Sequence, residues 1–155
     1  MTDSGGYLPY GIFREALKHK KIEPSCWKWN ALLDRIRASF DAELPGFSLL
    51  ALSRTDALTE CEIVPGISLS VQALAPDMAT PRHAHAWWHI YVVQAGSGVV
   101  SFDDESEPQR IVPNDIVFIP AWCTHELKND GPEQLVTLNC SNMVQQSDLA
   151  NFRPG

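Results

Sequence analysis

Three histidines lie within seven residues of this chain, in the segment "PRHAHAWWHIYVVQ" that begins at residue 81. They are His83, His85 and His89, and a further histidine, His125, follows later in the chain. Alternate residues of an extended strand point to the same side, so a strand over residues 80–93 would turn the first three imidazoles one way. Imidazole suits iron, manganese, nickel, copper and zinc, whereas magnesium and calcium prefer oxygen. The spacing therefore predicts a transition-metal site.

Composition limits the classes of function that such a site could serve. The chain has 155 residues, enough for one domain with a sizeable core, and a net charge of -7. An acidic surface argues against nucleic acid and anionic membranes as partners. No apolar stretch approaches the roughly 20 residues of a membrane span, and the N-terminus lacks the order of a signal peptide. We therefore expect a cytoplasmic protein.

The remaining reactive side chains fit a reducing compartment and a solvated surface. The cysteines at positions 26, 61, 123 and 140 form no CxxC pair, so they are interpreted as free thiols. His19 lies in the basic run over residues 14–21, which is typical of the solvated face of a short helix.

The elements that must position the histidines follow from hydrophobic periodicity. Two amphipathic helices are predicted over residues 11–20 and 27–44, the second with Leu32, Leu33, Ile36 and Phe40 at helical spacing. After residue 46 the pattern changes to short strands separated by Gly, Pro, Asp and Asn turns. The predicted strands are "FSLLALS", "ISLSVQALAP", "WWHIYVVQ", "GVVSFDD", "RIVP", "DIVFIP", "WCTHELKN" and "QLVTLNC".

Many short strands with no helices between them indicate an all-β, antiparallel sandwich or barrel. The predicted organisation is a helical N-terminal arm over residues 1–45, a β-barrel over 46–145 and a C-terminal tail over 146–155.

The histidines resemble the first motif of the cupin family, which is His-x-His, three or four residues, Glu, six residues and Gly. Here it reads His83-Ala84-His85, three residues, His89, six residues and Gly96. The second cupin motif is Gly, five residues, Pro-x-Gly, two residues, His, three residues and Asn. Here it reads Asn114, five residues, Pro120-Ala121-Trp122, two residues, His125, three residues and Asn129. The resemblance implies an antiparallel jelly-roll (cupin) β-barrel.

The chain departs from these motifs at three positions. His89 stands at the glutamate position, and Asn114 and Trp122 replace the two glycines of the second motif. Asparagine tolerates left-handed backbone, but tryptophan is expected not to imitate glycine, so we expect a loop of different shape there. An all-histidine ligand set would leave a divalent ion with its full charge, which favours an anionic ligand.

The flanking segments "CWKWNALL", "SLSVQALAP" and "FIPAWCTHELKND" resemble those of gentisate, salicylate and hydroquinone dioxygenases. The chain is about the length of one cupin half of a gentisate enzyme, and of the small subunit of two-component hydroquinone enzymes. This resemblance implies a non-haem Fe(II) dioxygenase, or one of its subunits, that cleaves a hydroxylated aromatic ring with O2. It also implies a homodimer or a hetero-oligomer with a larger cupin subunit.

Two alternatives stay open. One is a non-catalytic small subunit of a two-component ring-cleaving dioxygenase. The other is a four-histidine cupin that holds Mn(II) or Zn(II) and acts as a cyclase, isomerase or oxidase; because zinc has no redox chemistry, the identity of the metal helps to separate these readings.

The resemblance suggests which histidines bind the metal, and the phase of the strands suggests which residues line the pocket. His83, His85 and His125 are the first candidates for metal ligands, and His89 is either a fourth ligand or a base with an ordinary pKa near 6.5. The other catalytic candidates are Gln72, placed to hydrogen-bond a substrate oxygen, and Tyr91, in phase with His89. The predicted walls of the substrate pocket are Trp87, Phe118, Trp122 and Cys123.

Overall fold

The computed structural model describes residues 9–17, 22–38, 45–54, 62–103 and 107–149. The helices are α1 (Tyr10–Leu17), α2 (Trp29–Ala38) and α3 (Met143–Asp148). The strands are β1 (Phe47–Ala51), β2 (Glu62–Val64), β3 (Ile67–Leu74), β4 (His89–Ala95), β5 (Gly98–Phe102), β6 (Gln109–Ile111), β7 (Ile116–Ile119), β8 (His125–Lys128) and β9 (Leu135–Ser141).

The strands form two antiparallel sheets. The larger sheet has the order β1-β3-β9-β4-β7, with β2 also paired to β3, and the smaller has the order β6-β5-β8. One apolar cluster takes side chains from both sheets, including Leu74 and Val93 from the larger and Val100 and Leu127 from the smaller. The sheets therefore pack face to face, as an all-β fold with a helical N-terminal segment, and the predicted fold class is confirmed.

The register of the larger sheet aligns residues of β3, β9, β4 and β7 in rows that run across the strands. His89 on β4 pairs with Ser141 on β9 and with Ile119 on β7, and Tyr91 pairs with Asn139 and Val117. Because paired residues of antiparallel strands share a face, these side chains point into the space between the sheets.

Helix α2 covers the part of the outer face of the larger sheet that β3 and β9 form. Leu32 and Ile36 of the helix pack against Val71, Ala73 and Val136 of β3 and β9 in a second apolar cluster. Ile36 is fully buried. The predicted helical periodicity of this segment therefore serves to bury one side of the sheet, which leaves the other side free to build the interior of the barrel.

The structure differs from the sequence reading at several points. Residues 80–88 do not continue β4 as a strand; they contain only an isolated bridge between His83 and His125, and β4 begins at His89. Strand β2 and helix α3 were not predicted, and α3 crosses the proposed boundary at residue 145. His19, Phe40 and Cys61 lie outside the described residues.

Two further observations bear on the general predictions. Cys26, Cys123 and Cys140 are free thiols, as expected for the cysteines that the structure describes. In the same part of the chain, no helix has the length and apolar character needed to cross a membrane.

Candidate metal centre

Backbone pairing brings the two histidine motifs together. The amide of His83 donates to the carbonyl of His125 at 3.1 Å, and the amide of His125 donates back at 2.9 Å. The amide of Trp122 donates to the carbonyl of His85 at 2.7 Å. These bonds fix the segment before β4 against the start of β8, so side chains that are distant in sequence meet at one end of the barrel.

Each of the three nearest imidazoles has one nitrogen committed to a backbone carbonyl. Nδ1 of His83 lies 2.7 Å from the carbonyl of Pro81, and Nδ1 of His125 lies 2.9 Å from that of Cys123. Nδ1 of His85 lies 2.7 Å from the carbonyl of Trp87. A carbonyl can only accept, so each Nδ1 carries the proton and each Nε2 carries a lone pair. This is the arrangement by which histidine ligands of metals are usually oriented.

The lone pairs converge. His83, His85 and His125 form a group of described residues whose possible ligand atoms all lie within 4.8 Å of one another. His85 and His125 are almost completely buried, and Nε2 of His125 has no hydrogen-bond partner. A buried, unpartnered acceptor is costly unless a cation or a donor meets it. The donor set therefore fits a transition-metal ion, and these three histidines could hold one.

His89 lies beside this group but is not part of it. Its Nε2 is 2.9 Å from Nε2 of His85, and the indole Nε1 of Trp87 donates to it at 3.0 Å. Since the single Nε2 lone pair of His89 is already taken by the indole, His89 would have to give up that bond to bind a metal. Nε2 of His85 also carries a lone pair, so the two acceptors repel unless a cation lies between them.

Burial keeps these imidazoles neutral. It lowers the pKa of His85 to about 4, with the nearby His125 adding to the effect. Burial and then His85 lower the pKa of His89 to about 3, and burial also lowers the pKa of His125. Neutral imidazoles are competent ligands near neutral pH. The low pKa makes His89 a much weaker base than the ordinary value near 6.5 would imply.

The two other catalytic candidates lie inside the barrel. Tyr91 is buried with its ring centroid 5.1 Å from that of His89, and burial raises its pKa well above the usual value. Gln72 is 5% exposed, and its Oε1 accepts from Nδ2 of Asn139 at 3.5 Å. Tyr91 therefore lies directly against His89, whereas Gln72 lies further along the interior.

The four predicted pocket residues are not all brought to the histidines. Trp87 is buried and stacks on His85, with ring centroids 4.1 Å apart and an interplanar angle of 5°. Phe118 is 59% exposed and pairs with Ile90, on the opposite face of the sheet from His89. The thiol of Cys123 contacts Asp103 and the carbonyl of Thr124. The structure thus brings Trp87 to the cluster and places Phe118 away from it.

The loop before β8 corrects one expectation. Asn114 has φ 77° and Trp122 has φ 64°, so both adopt the left-handed conformation that glycine favours. Asparagine was expected to tolerate it, but the expectation that Trp122 would not imitate glycine was wrong. The indole of Trp122 is 63% exposed. The hydrogen bond from the backbone amide of Trp122 to the carbonyl of His85 holds the backbone in this strained state.

Two buried asparagines stabilise the loops around the site, and sequence reasoning gave neither a structural role. Nδ2 of Asn129 donates to the carbonyls of Leu74 and Glu133, and its Oδ1 accepts from Gly131. Oδ1 of Asn142 accepts from the amide of Trp88 at 3.0 Å. The Asn at the end of the second motif was visible in the sequence, but its bond to the carbonyl of Leu74, 55 residues earlier, is revealed only by the fold.

Comparison with known proteins agrees with this geometry. Residues 70–140 match the family model of the Cupin domain, a range that includes all four histidines of the site. This range is just under half of the chain, and over it the chain resembles a cupin domain. No curated protein sequence gives a significant match to it.

Solved structures share this cupin-like fold. The salicylate 1,2-dioxygenase from Pseudaminobacter salicylatoxidans superimposes with a TM-score of 0.71 at 21% identity, covering 91% of this chain and 45% of that chain. A mutant of that enzyme in complex with gentisate gives 0.72 at 15% identity, covering 82% and 36%. A Cupin 2 conserved barrel domain protein from Salinispora arenicola gives 0.54 at 18% identity, covering 68% and 82%.

The present chain therefore spans less than half of the salicylate dioxygenase chains. At these identities the likeness establishes the fold and leaves the reaction to be argued from the site.

Proposed function

We propose that this cupin is a non-haem Fe(II) dioxygenase, acting alone or as one subunit, that cleaves a hydroxylated aromatic ring. The observation that carries the proposal is the convergence of the Nε2 atoms of His83, His85 and His125, each with its Nδ1 held by a backbone carbonyl. The fold shared with salicylate 1,2-dioxygenase supports the same assignment.

The protein would supply ligands, orientation and a shielded space. His83, His85 and His125 would hold the ion, which supplies electron transfer between a hydroxylated ring and dioxygen when it is bound. Three neutral ligands leave its charge uncompensated, so a phenolate oxygen is a favoured partner.

The surrounding side chains would shape that space. The indole of Trp87 stacks on the ring of His85, and its N–H donates a hydrogen bond to Nε2 of His89. Tyr91, buried and therefore protonated across the physiological pH range, would present a hydroxyl that can only donate or accept a hydrogen bond. Because its pKa is lowered to about 3, His89 would stay neutral and accept a hydrogen bond. It would be a poor acceptor of a proton from the substrate.

A second candidate is a non-catalytic subunit of a two-component ring-cleaving enzyme. In that case the barrel would associate with a larger cupin subunit, and the buried histidine group would stabilise the fold when metal binds. A Mn(II) or Zn(II) centre remains the alternative within a catalytic reading.

Metal analysis and oxygen uptake separate these candidates. The protein is loaded anaerobically with Fe(II), Mn(II) or Zn(II), and oxygen consumption is followed with a panel of mono- and dihydroxybenzenes and their carboxylates. We expect uptake only with the Fe(II) protein and a hydroxylated ring, accompanied by loss of the ring's absorption. Stoichiometric iron with no uptake for any ring would contradict the catalytic proposal and favour the subunit.

A further inference from the structure

Strand β7 forms one edge of the larger sheet, where it pairs with β4 alone among the residues that the structure describes. Val117 and Ile119 point into the core, whereas Ile116 and Phe118 point outwards and are 70% and 59% exposed. The strand is therefore apolar on both faces, a pattern typical of strands that are covered on both sides. Here the outward face lies open to solvent.

Exposed apolar side chains concentrate around this strand. Nine large hydrophobic side chains are exposed in the described part of the chain, and four of them fall within residues 112–122. We call these four the apolar edge; they are Val112, Ile116, Phe118 and Trp122. Sheet edges that avoid pairing usually carry a charge, a proline or a bulge. Strand β7 has none of these, since Pro113, Asp115 and Pro120 lie outside it and its pairing with β4 is regular.

The backbone of β7 also has unpaired groups at this edge. In an antiparallel pair, alternate residues direct their N–H and C=O groups towards the partner strand. The amide of Val93 on β4 donates to the carbonyl of Asp115 at 3.0 Å, so residues 115, 117 and 119 face β4. Ile116 and Phe118 therefore direct their backbone groups to the free edge, where no described residue bonds to them.

A groove runs beside this edge, between β7 of the larger sheet and β5 and β6 of the smaller sheet. Its volume is about 370 Å³, and its apolar walls are Val100, Phe102, Ile111, Ile116, Val117 and Phe118. Val100 and Ile111 belong to the apolar core that the two sheets share. The sheets are thus open on this side, and core side chains border a space into which a further strand can pack.

We infer that β7 is a dimer interface, at which a second copy of this chain adds its own β7 antiparallel to the first about a two-fold axis at Val117. Ile116 of each copy then lies opposite Phe118 of the other copy, on the outward face. These are the residues whose backbone groups point to the free edge, so each pair exchanges both of its N–H···O=C hydrogen bonds. The larger sheets of the two copies become one continuous sheet.

Neighbouring registers are less favourable. A shift by one residue would set outward side chains of one copy opposite inward side chains of the other. Pairing centred on Phe118 would place Ile116 opposite Pro120, which has no N–H. Pairing centred on Ile116 would place Phe118 opposite Asn114, whose backbone, with φ 77°, is left-handed and not extended. Because the favoured register pairs exposed residues of the apolar edge with each other, the edge is complementary to itself, which favours a second copy over an unrelated protein.

The apolar edge supplies an area of the size that a small dimer interface needs. Val112 and Trp122 lie five residues on either side of Val117, so the register brings each Trp122 towards Val112 of the other copy. The exposed parts of the four side chains amount to on the order of 400 Å² of apolar surface per copy. The smallest standard interfaces bury about 600 Å² per partner, of which about 60% is apolar. We therefore expect a specific dimer with a Kd in the micromolar range.

Sedimentation velocity measures the association of the purified, metal-free chain. We expect a reversible equilibrium between monomer and dimer over total concentrations from about 1 to 200 µM. Each copy carries a net charge of -7, so raising the salt concentration from about 0.05 to 0.5 M should preserve or strengthen the dimer, because salt screens the repulsion between copies. Weakening by salt would indicate an association through ion pairs and would count against the inference.

A charge placed on the edge should prevent association. Phe118→Lys adds a cation to the outward face of β7, and we expect the Kd to rise at least roughly tenfold. Leu49→Lys is the matched control: Leu49 is 55% exposed on β1, at the opposite edge of the same sheet, and its replacement should change the Kd by less than about twofold. Melting temperatures of both variants should stay within a few degrees of the wild type, because both side chains are exposed.

Disulfide trapping tests the register itself. In a hydrogen-bonded antiparallel pair the Cα atoms are about 5.5 Å apart, a separation that a disulfide can bridge. Ile116→Cys and Phe118→Cys are prepared separately, mixed, and treated with oxidised glutathione. We expect a disulfide-linked dimer in the mixture and little in either variant alone, because residue 116 of one copy lies opposite residue 118 of the other. The wild type, treated in the same way, controls for the native cysteines.

Three results would overturn the inference. The first is a wild type that stays monomeric up to about 200 µM, whatever else it binds. The second is a dimer that Phe118→Lys leaves unchanged, and the third is linkage as efficient in each cysteine variant alone as in the mixture. The first two reject the surface and the third rejects the pairing at Val117. These measurements use metal-free protein and no substrate, so the interface and the proposed function can fail separately.

Discussion

Each histidine of the centre behaves according to what its two ring nitrogens contact. In His83, His85 and His125 one nitrogen donates to a carbonyl and the other is free to bind. In His89 the corresponding nitrogen accepts from Trp87 instead. The same residue type therefore provides three candidate ligands and one neighbour, and the indole N–H is what separates them.

Trp87→Phe tests that distinction. Phenylalanine keeps an aromatic face against His85 but removes the N–H that occupies Nε2 of His89. We expect His89 to become available as a further ligand, with up to about tenfold tighter binding of Co(II) and a changed visible spectrum of the bound ion. The control is Trp88→Phe. Identical Co(II) spectra for Trp87→Phe and wild type would mean that the indole does not govern His89.

Acidification should destabilise the metal-free protein through the buried histidines. The unfolded chain takes up protons near the ordinary histidine pKa of about 6.5, whereas folded His85 does so only near about 4. Between these values the unfolded state binds more protons, so the free energy of unfolding falls as pH falls, by about 1.4 kcal/mol per pH unit for each such histidine. Denaturant titrations from about pH 4.5 to 7 measure the slope.

His85→Asn provides the comparison, because it removes one titrating group from that window. Its stability should depend less steeply on pH than that of the wild type. If the free energy of unfolding of the metal-free wild type does not change with pH in this range, His85 is not buried and neutral as assigned.

At the scale of elements, the loops on either side of the strands determine the site as much as the strands do. The turn between β7 and β8 holds Trp122 in left-handed backbone, with its amide bonded to the carbonyl of His85. Left-handed backbone costs a non-glycine residue about 1–2 kcal/mol. The strained residue therefore lies where the two histidine motifs are hydrogen-bonded to each other.

Trp122→Gly should relieve that strain. Because the indole is 63% exposed, little packing is lost, and we expect the free energy of unfolding to rise by about 1 kcal/mol. Asn114→Gly is the matched comparison at a second left-handed position, and should gain only a few tenths of a kcal/mol because asparagine tolerates this conformation. A loss of stability in Trp122→Gly would show that the exposed indole makes contacts that outweigh the strain.

The sequence was sufficient to predict the strands and the types of ligand. It was insufficient to predict which face of β3 and β9 points into the interior. The alternation in "ISLSVQALAP" predicted β3 and the short segment "QLVTLNC" predicted β9, but both faces of these strands are covered. Periodicity alone could not reveal that α2 takes the apolar face and leaves the polar face inside. The histidine motifs predicted the cluster, yet the bonds that orient each ring depend on carbonyls of Pro81, Cys123 and Trp87, which no pattern marks.

At the scale of the whole molecule, the helical segment and the barrel depend on each other. The buried side of α2 covers the outer face of β3 and β9, with Ile36 at its centre. Without this cover the sheet would expose apolar side chains on one face while carrying polar ones on the other. The inward polar residues of β3 and β9 are therefore accompanied by an apolar outer face, where Val71, Ala73 and Val136 pack under α2.

Ile36→Ala measures that dependence. Removing a fully buried isoleucine side chain should lower the free energy of unfolding by about 3 kcal/mol, observed as an earlier denaturant midpoint of the entire chain. Asp34→Ala, exposed on the same helix, should change it by less than about 0.5 kcal/mol. Equal stabilities of the two variants would indicate that α2 does not support the barrel.

If His83, His85 and His125 hold a metal ion, the metal content per chain depends on each of these histidines. The wild type, the single variants His83→Ala and His125→Ala, and the control Ser101→Ala are loaded anaerobically with Fe(II), desalted and analysed for iron. We predict about one iron per chain in the wild type and control, and less than roughly a tenth of that in either histidine variant with the fold preserved. Full iron occupancy in both histidine variants would contradict it.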